Sequence, residues 1–184
     1  INCIEFDHAD IYPDLDSIKK AFAKLVKMIP EDGVIIYNAD DKNVLDIIHN
    51  AKAKTVSFAQ NNKEADVVLM NTRTEHSKTQ PKLKFEIKKG TQKKEYELII
   101  PGLHNAINAT AVIALAYEMG IDDSIIKKAF SSFNGVKRRQ DVYGISGGRI
   151  IIDDFAHHPT AIEYSINAIT DWYSPRDVWC LYEP

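Results

Sequence analysis

The segment VIIYNADDKNVLDIIHNAKAKTVSF, residues 34–58, decides the fold class of the chain. Val34 to Tyr37 and Lys54 to Phe58 are short runs with the length and composition of strands. Between them, Asp40 suits the N-terminal cap of a short helix whose apolar residues recur at helical spacing. A strand, a helix and a strand in this order predict two parallel strands joined by a crossover helix.

The same alternation continues on both sides and predicts a doubly wound α/β sheet. Upstream, Ile1 to Glu5 is a strand-like stretch, and residues 15–29 carry apolar side chains along one face of an amphipathic helix. Downstream, three short β-rich stretches predict a small antiparallel appendage, and two helices follow it. In order, these five elements cover residues 66–70, 83–88, 96–100, 105–119 and 123–133.

A second unit is predicted to begin after Gly135. Its expected elements are a hairpin of residues 141–145 and 149–153, a helix that begins near Pro159 and a strand over residues 178–182. Placing the boundary within residues 136–140 predicts two domains, residues 1–137 and residues 138–184.

The bulk composition excludes several classes of protein. A net charge of −3 and a pI near 6.1 argue against nucleic acid as a partner. The two cysteines, Cys3 and Cys180, support neither a disulfide framework nor a cysteine-based zinc site, and they fit a cytoplasmic location. No apolar run approaches the roughly 20 residues of a membrane span.

Both ends of the chain look internal to a longer protein. The sequence opens at Ile1, inside a strand-like stretch without an initiating Met, and stops at Pro184 directly after another. A parallel strand normally needs neighbouring strands and covering helices. We therefore expect the chain to be a segment of a longer protein.

Residues 5–10, Glu5-Phe6-Asp7-His8-Ala9-Asp10, follow the first strand-like stretch. Open α/β sheets bind ligands at the carboxyl ends of their strands. His8, with an aspartate on either side, could help to hold a divalent cation near a phosphate. The alternative is a loop of capping acids with a surface histidine.

The stretch GLHNAINA, residues 102–109, joins a strand-like run to the Ala-rich helix. Asn105 and Asn108 lie three residues apart and therefore share one face of the helix near its N-terminus. A carboxamide offers both a donor and an acceptor, as an adenine edge requires. In the alternative, Asn105 caps the helix and Asn108 is merely exposed.

Lys137-Arg138-Arg139 place two adjacent guanidinium groups at the expected domain junction. Arginine suits oxyanions because it donates in a fixed fork. Solvated linker surface explains such a cluster equally well.

Residues 153–160, DDFAHHPT, put two acids and two imidazoles at a predicted strand-to-helix turn. Zinc is one candidate ligand, but adjacent histidines do not easily reach one ion from a turn. An aspartate that accepts hydrogen bonds from ribose hydroxyls fits the position better.

In this order, the four stretches resemble the Mur ligase family. Its members join an amino acid or peptide to a UDP-muramoyl carboxylate that ATP activates as an acyl phosphate. The resemblance covers nearly the whole chain. It implies the C-terminal part of a central ATPase domain, followed by the start of a Rossmann-like domain for the amine substrate.

The resemblance also implies ligands and roles for eight residues. The expected small molecules are ATP, Mg²⁺, UDP-N-acetylmuramate and an amino acid or peptide. The residues are His8 as magnesium ligand and catalytic group, His104, Asn105 and Asn108 at the adenine, Arg139 as a catalytic contact of the ATP phosphates, Asp154 at the ribose, and His157 and His158 at the substrate.

Within the family, the residues at several motif positions resemble those of the murein peptide ligases of cell-wall recycling, which attach the tripeptide L-Ala-γ-D-Glu-meso-diaminopimelate. The residues behind this preference are Phe6, Ala9, Ile11, Phe155-Ala156 and Tyr182-Glu183-Pro184. Two alternatives stay open: a ligase that adds L-alanine, and a non-catalytic nucleotide-binding module.

Two departures from the family pattern matter. Cys3 stands where relatives commonly have Asn. The Gly-x-x-x-x-Gly-Lys-[Ser/Thr] phosphate loop does not occur in these 184 residues. We therefore expect the segment alone to be inactive.

Overall fold

The structure, a computed structural model, describes residues 1–77 and 81–182. Within these ranges, helices and strands alternate largely as the sequence predicts. In chain order they are α1 (Leu15–Met28), β1 (Val34–Asn38), α2 (Lys42–Ile48), β2 (Lys54–Ala59), β3 (Val67–Glu75), β4 (Lys82–Lys89), β5 (Gln92–Leu98), α3 (Leu103–Glu118), α4 (Asp123–Ser132), β6 (Asp141–Ser146), β7 (Arg149–Asp153) and α5 (Pro159–Tyr173).

Strands β1 to β5 form one sheet in the order of the sequence. β1, β2 and β3 are parallel neighbours, with Ile36 opposite Val56 and Phe58 opposite Val67. β3, β4 and β5 are antiparallel, so the expected appendage continues the same sheet. The predicted mixed α/β class is confirmed.

The two faces of the sheet are covered by different helices. Ile35 of β1 packs with Val26 of α1 and Val44 of α2 in one apolar cluster. Its neighbours Val34 and Ile36 pack on the opposite face, against a larger cluster that includes α3. This alternation follows from the two-residue period of a strand, and it places the sheet between two helical layers.

The segment before α1 is fixed to the sheet without forming the predicted strand. Ile1 exchanges two backbone hydrogen bonds with β1: its amino group donates to the Ile36 carbonyl, and Asn38 N–H donates to the Ile1 carbonyl. Further along, Ile4 N–H donates to Asp41 Oδ2 (3.1 Å), and Asn43 Nδ2 donates to the Ile4 carbonyl (2.8 Å). The expectation of a strand over residues 1–5 is wrong because side chains of α2 and its cap replace a strand partner at Ile4.

The second predicted unit contains a separate two-stranded sheet. β6 and β7 pair antiparallel across Gly147-Gly148, and both glycines have positive φ (57° and 75°), as a tight hairpin turn requires. The strand expected over residues 178–182 does not form. Trp179 and Leu181 are 90% and 99% exposed, and without a neighbouring strand the backbone of this run has no ladder to join.

Helix α5 packs against the first unit. Trp172 is 5% exposed and joins the large cluster on the α3 face of the sheet. At the other contact, a Cβ on Gly102 would lie 2.6 Å from Cβ of Ala168, closer than carbon atoms pack. The backbone at the start of α3 therefore approaches α5 as closely as a glycine permits.

None of the helices formed by the described residues is long and apolar enough to cross a membrane.

Replacing Trp172 with Ala should lower the unfolding free energy of the chain by about 3–5 kcal/mol, because a large side chain leaves the shared core. Trp179→Ala is the matched control, since its side chain is exposed, and it should change stability by less than about 0.5 kcal/mol. Urea denaturation followed by circular dichroism measures both. Equal effects of the two substitutions would show that α5 does not contribute to the core.

Candidate nucleotide and substrate cleft

The stretch at residues 5–8 meets the loop at residues 157–160, although about 150 positions separate them in sequence. Thr160 Oγ1 donates to Glu5 Oε1 at 3.0 Å, and His158 Nδ1 lies 3.4 Å from Glu5 Oε2. Asp7 Oδ2 lies 3.8 Å from His157 Nε2. Acids from the first unit therefore face imidazoles at the start of α5.

His8 stands in a tight turn at the edge of this contact. Its backbone is left-handed, with φ of 54°, and its carbonyl accepts from the N–H groups of Ile11 and Tyr12. Its Nε2 lies 3.9 Å from Asp7 Oδ2, and its side chain is 66% exposed. A hydrogen bond from the His8 N–H, reinforced by the surrounding imidazoles, lowers the pKa of Asp7 below its ordinary value.

The donor set around His8 suits only part of a magnesium shell. Magnesium prefers oxygen ligands and usually keeps several waters beside one or two carboxylates and substrate phosphates. Asp7 supplies such a carboxylate, and His8 is adjacent to it. Among residues 1–77 and 81–182, no group of three or more His, Cys, Asp or Glu side chains is arranged to hold a metal ion. The residues fit a shared site in which phosphate and water supply the remaining ligands.

His104, at the start of α3, lies near residues of two other motif stretches, the basic residues 137–139 and the loop at residues 153–160. Burial lowers its pKa; the nearby Asp154 opposes this shift and Arg139 adds to it. Its ring lies 6.0 Å from that of Tyr164 in α5, and its Nδ1 is buried without a hydrogen-bond partner. This ring nitrogen is buried, so a polar ligand would reach it only after the surrounding side chains move.

The two asparagines of the second stretch have different partners. Asn105 Nδ2 donates to the Pro101 carbonyl at 2.6 Å, so this side chain helps to close the loop before α3. Asn108 is exposed, and its Oδ1 accepts from Asn2 Nδ2. Asn105 does not cap the helix, because the N-cap of α3 is Gly102 and no side chain makes a capping bond there. Asn108 joins the start of α3 to Asn2. Adenine contacts by either side chain stay a prediction.

Asp154 connects three segments within residues 140–165. Its Oδ1 accepts from Ala156 N–H (2.8 Å), and its Oδ2 accepts from Gln140 N–H (3.1 Å) and from Ser165 Oγ. A carboxylate offers about four acceptor positions, so these bonds leave one for a ligand hydroxyl. The loop geometry therefore permits the expected ribose contact and limits it to one further hydrogen bond.

The arginine pair stacks on an aromatic ring that the motif reasoning did not include. The guanidinium groups of Arg138 and Arg139 lie 5.1 Å and 5.5 Å from the centre of the Phe155 ring. Arg138 also pairs with Asp153 at 3.4 Å. In the described part of the chain, no carboxylate comes within salt-bridge distance of Arg139. The ring holds the Arg139 guanidinium in place while its charge stays available.

Two openings flank this region. A cleft of about 740 Å³ lies between β3 and α5 beside Gly102, where Thr74 donates a hydrogen bond to Asp171. A more apolar groove of about 520 Å³ includes His157 and Tyr182. His158 does not line that groove, because it turns toward Glu5. Of the two histidines expected at the substrate, His157 is the one beside an opening.

Several contributors to the site were missed by the sequence reasoning. Glu5 and Thr160 lie inside quoted stretches but received no role, and Phe155 was used only to choose a branch of the family. Tyr164 of α5 carried no local signal at all. Glu183 and Pro184, also used for that choice, lie outside the described residues.

Comparison with known proteins matches the chain to one family. The family model of the Mur ligase middle domain matches residues 1–116. The UDP-N-acetylmuramate–L-alanine ligase of Acetivibrio thermocellus is 34% identical over 98% of this chain, which spans 38% of that protein.

Solved structures give the same assignment. The UDP-N-acetylmuramate–alanine ligase of Thermotoga maritima is 26% identical, with a TM-score of 0.73 over 92% of this chain and 37% of that one. A murein peptide ligase of Psychrobacter arcticus, also 26% identical, has a TM-score of 0.62 over 92% of this chain and 34% of that one. The chain belongs to the Mur ligase family.

Proposed function

We propose that the protein encoded by the complete reading frame is an ATP-dependent ligase that forms an amide bond on the carboxylate of UDP-N-acetylmuramate. The observation that carries this proposal is the convergence of the four motif stretches. Residues 5–8 contact the loop at 157–160, and His104 lies in the field of both Asp154 and Arg139. Family membership supports the reaction class. A cytoplasmic location is proposed on the same basis.

L-alanine is the favoured amine. The Acetivibrio relative, matched over nearly the whole chain, bears the name of an L-alanine ligase. L-alanine therefore replaces the tripeptide that the motif residues predicted as the amine substrate.

The tripeptide L-Ala-γ-D-Glu-meso-diaminopimelate is the second candidate amine. Phe6, Ala9 and Phe155-Ala156 favour it by resemblance. The groove of about 520 Å³ beside His157 also offers room next to the expected substrate histidine.

The proposed chemistry is electrostatic. ATP transfers its γ-phosphoryl group to the muramoyl carboxylate, and the amine then displaces phosphate from the acyl phosphate. Arg139, held by the Phe155 ring, donates its guanidinium fork to the oxygens on which charge develops. When bound, magnesium would neutralise phosphate charge, and Asp7 and His8 are the residues of this chain that would face it.

The nucleoside would be held by groups from both units. His104 has a buried, unpaired ring nitrogen, Asn108 has an exposed carboxamide, Asn105 has one that also bonds the Pro101 carbonyl, and Asp154 has one acceptor position left. ATP binding would therefore depend on the two units keeping the orientation that α5 establishes.

The test of function is a ligase assay on the complete reading frame with UDP-N-acetylmuramate and ATP. L-alanine should give a kcat/KM at least about tenfold above that of the tripeptide, because L-alanine is the amine that the named relative favours. Product is identified by mass spectrometry and ADP release by a coupled assay. A reversed preference would assign the protein to the recycling branch, and nucleotide binding without product would favour a binding module.

Arg139→Ala should lower kcat by on the order of 10²–10³, with a smaller effect on ATP affinity, because a donor aimed at developing charge acts mainly in the transition state. Arg139→Lys should recover little activity, since an ammonium lacks the bidentate fork. Arg149→Ala, at an exposed position of β7, is the matched control. Near-native turnover of both Arg139 variants would move the phosphate role to Arg138 or outside this chain.

His8→Ala should raise the magnesium concentration needed for half-maximal turnover by on the order of tenfold, because one contributor to the metal site is lost. The measurement is a magnesium titration of ligase activity at saturating ATP. His76→Ala removes an exposed imidazole elsewhere and should leave the titration unchanged. An unaltered magnesium dependence in His8→Ala would make His8 an ordinary surface residue.

A further inference from the structure

Glu5 contacts the start of α5 and has no role assigned by the sequence motifs. Its carboxylate divides its two oxygens between two residues at the start of α5. Thr160 donates to Oε1 at 3.0 Å, and His158 Nδ1 lies 3.4 Å from Oε2. The Thr160 hydrogen bond thus ties Glu5 to the first turn of α5, and His158 Nδ1 lies close to the same carboxylate without a hydrogen bond to it.

The start of α5 lacks the groups that normally stabilise a helix N-terminus. His158 occupies the N-cap position without a side-chain capping bond, and the first turn contains no acidic residue, although Pro159 suits the first helical position. The exposed N–H groups of a first turn favour a nearby negative charge. Glu5, from outside the helix, supplies that charge.

The backbone that carries Glu5 is anchored by contacts that do not involve α5. The preceding residue, Ile4, is 1% exposed, and both its N–H and its carbonyl are hydrogen-bonded to side chains at the start of α2. The Glu5 carboxylate therefore projects from an anchored position, so its contact with Thr160 constrains α5 more than it constrains Glu5.

We propose that Glu5 is a positioning residue that holds the first turn of α5, and with it His157 and His158, in the orientation required for the amine substrate. This inference rests on the proposed function. Glu5 itself touches no reacting atom in this proposal. It acts by fixing the loop that carries the substrate histidines, and small displacements of such groups are costly to catalysis.

The first test is kinetic and uses the enzyme from the complete reading frame. Glu5→Ala should lower kcat/KM for the amine by on the order of 10–100-fold, while KM for ATP changes by less than about twofold. Glu5→Gln should recover part of the loss, because its carbonyl oxygen can still accept from Thr160. Glu31→Ala, at an exposed turn position before β1, is the matched control.

A double-mutant cycle separates positioning from general destabilisation. Thr160→Val should reproduce part of the Glu5→Ala defect, and the double variant should be little worse than Glu5→Ala alone, because the two side chains act through one contact. Additive losses, or equal losses toward ATP and the amine, would overturn the proposal.

A second measurement does not depend on catalysis. In Glu5→Ala, the amides of residues 162–164, the first in α5 whose N–H groups are hydrogen-bonded within the helix, should exchange with solvent roughly tenfold faster, the equivalent of about one lost hydrogen bond, while β1 and β2 keep their protection. Unchanged exchange in this turn would overturn the proposal whatever the kinetics. If the wild-type enzyme forms no amide, the proposed function fails, and the exchange result still decides whether Glu5 holds α5.

Discussion

The close approach between Gly102 and Ala168 is the constraint on which the cleft depends. Gly102 has φ of 99°, and any Cβ there would collide with Ala168 and with the His104 ring. Because the start of α3 has no side chain at this point, α5 can lie directly on it. That packing buries Trp172 in the large apolar cluster and carries the loop at residues 153–160 toward residues 5–8. A backbone requirement thus assembles side chains from four distant stretches.

Charge is divided between the two units of the cleft. Glu5 and Asp7 come from the first unit, whereas His157, His158 and Arg139 come from the second. A carboxylate facing an imidazole favours one relative orientation when the imidazole is protonated, and water at these half-exposed positions keeps the attraction weak. Such a contact can hold the units in register without locking them. Apolar packing therefore provides most of the stability with which α5 is held on the first unit, and the polar pairs favour one orientation of α5.

Local patterns predicted most of this structure. The strands and helix within residues 34–58 form as expected, because turn residues and apolar periodicity are encoded nearby. The predictions of strands over residues 1–5 and 178–182 were wrong, since a strand also needs a partner strand that the local sequence does not reveal. Ordered motifs located the candidate site, although they did not reveal the pairing of Glu5 with Thr160, 155 positions apart. Phe155 was equally hard to foresee, because stacking by an arginine pair depends on how the linker turns.

The hairpin of β6 and β7 affects how readily these 184 residues aggregate in solution. Ile150 and Ile151 are adjacent, so they point to opposite faces, yet they are 40% and 52% exposed, and Tyr143 and Ile145 are exposed further. Both strands of the pair also keep one unpaired edge. Exposed apolar faces beside unpaired strand edges favour edge-to-edge pairing between molecules. Aggregation at high concentration would therefore begin at this hairpin, far from the well-packed five-stranded sheet.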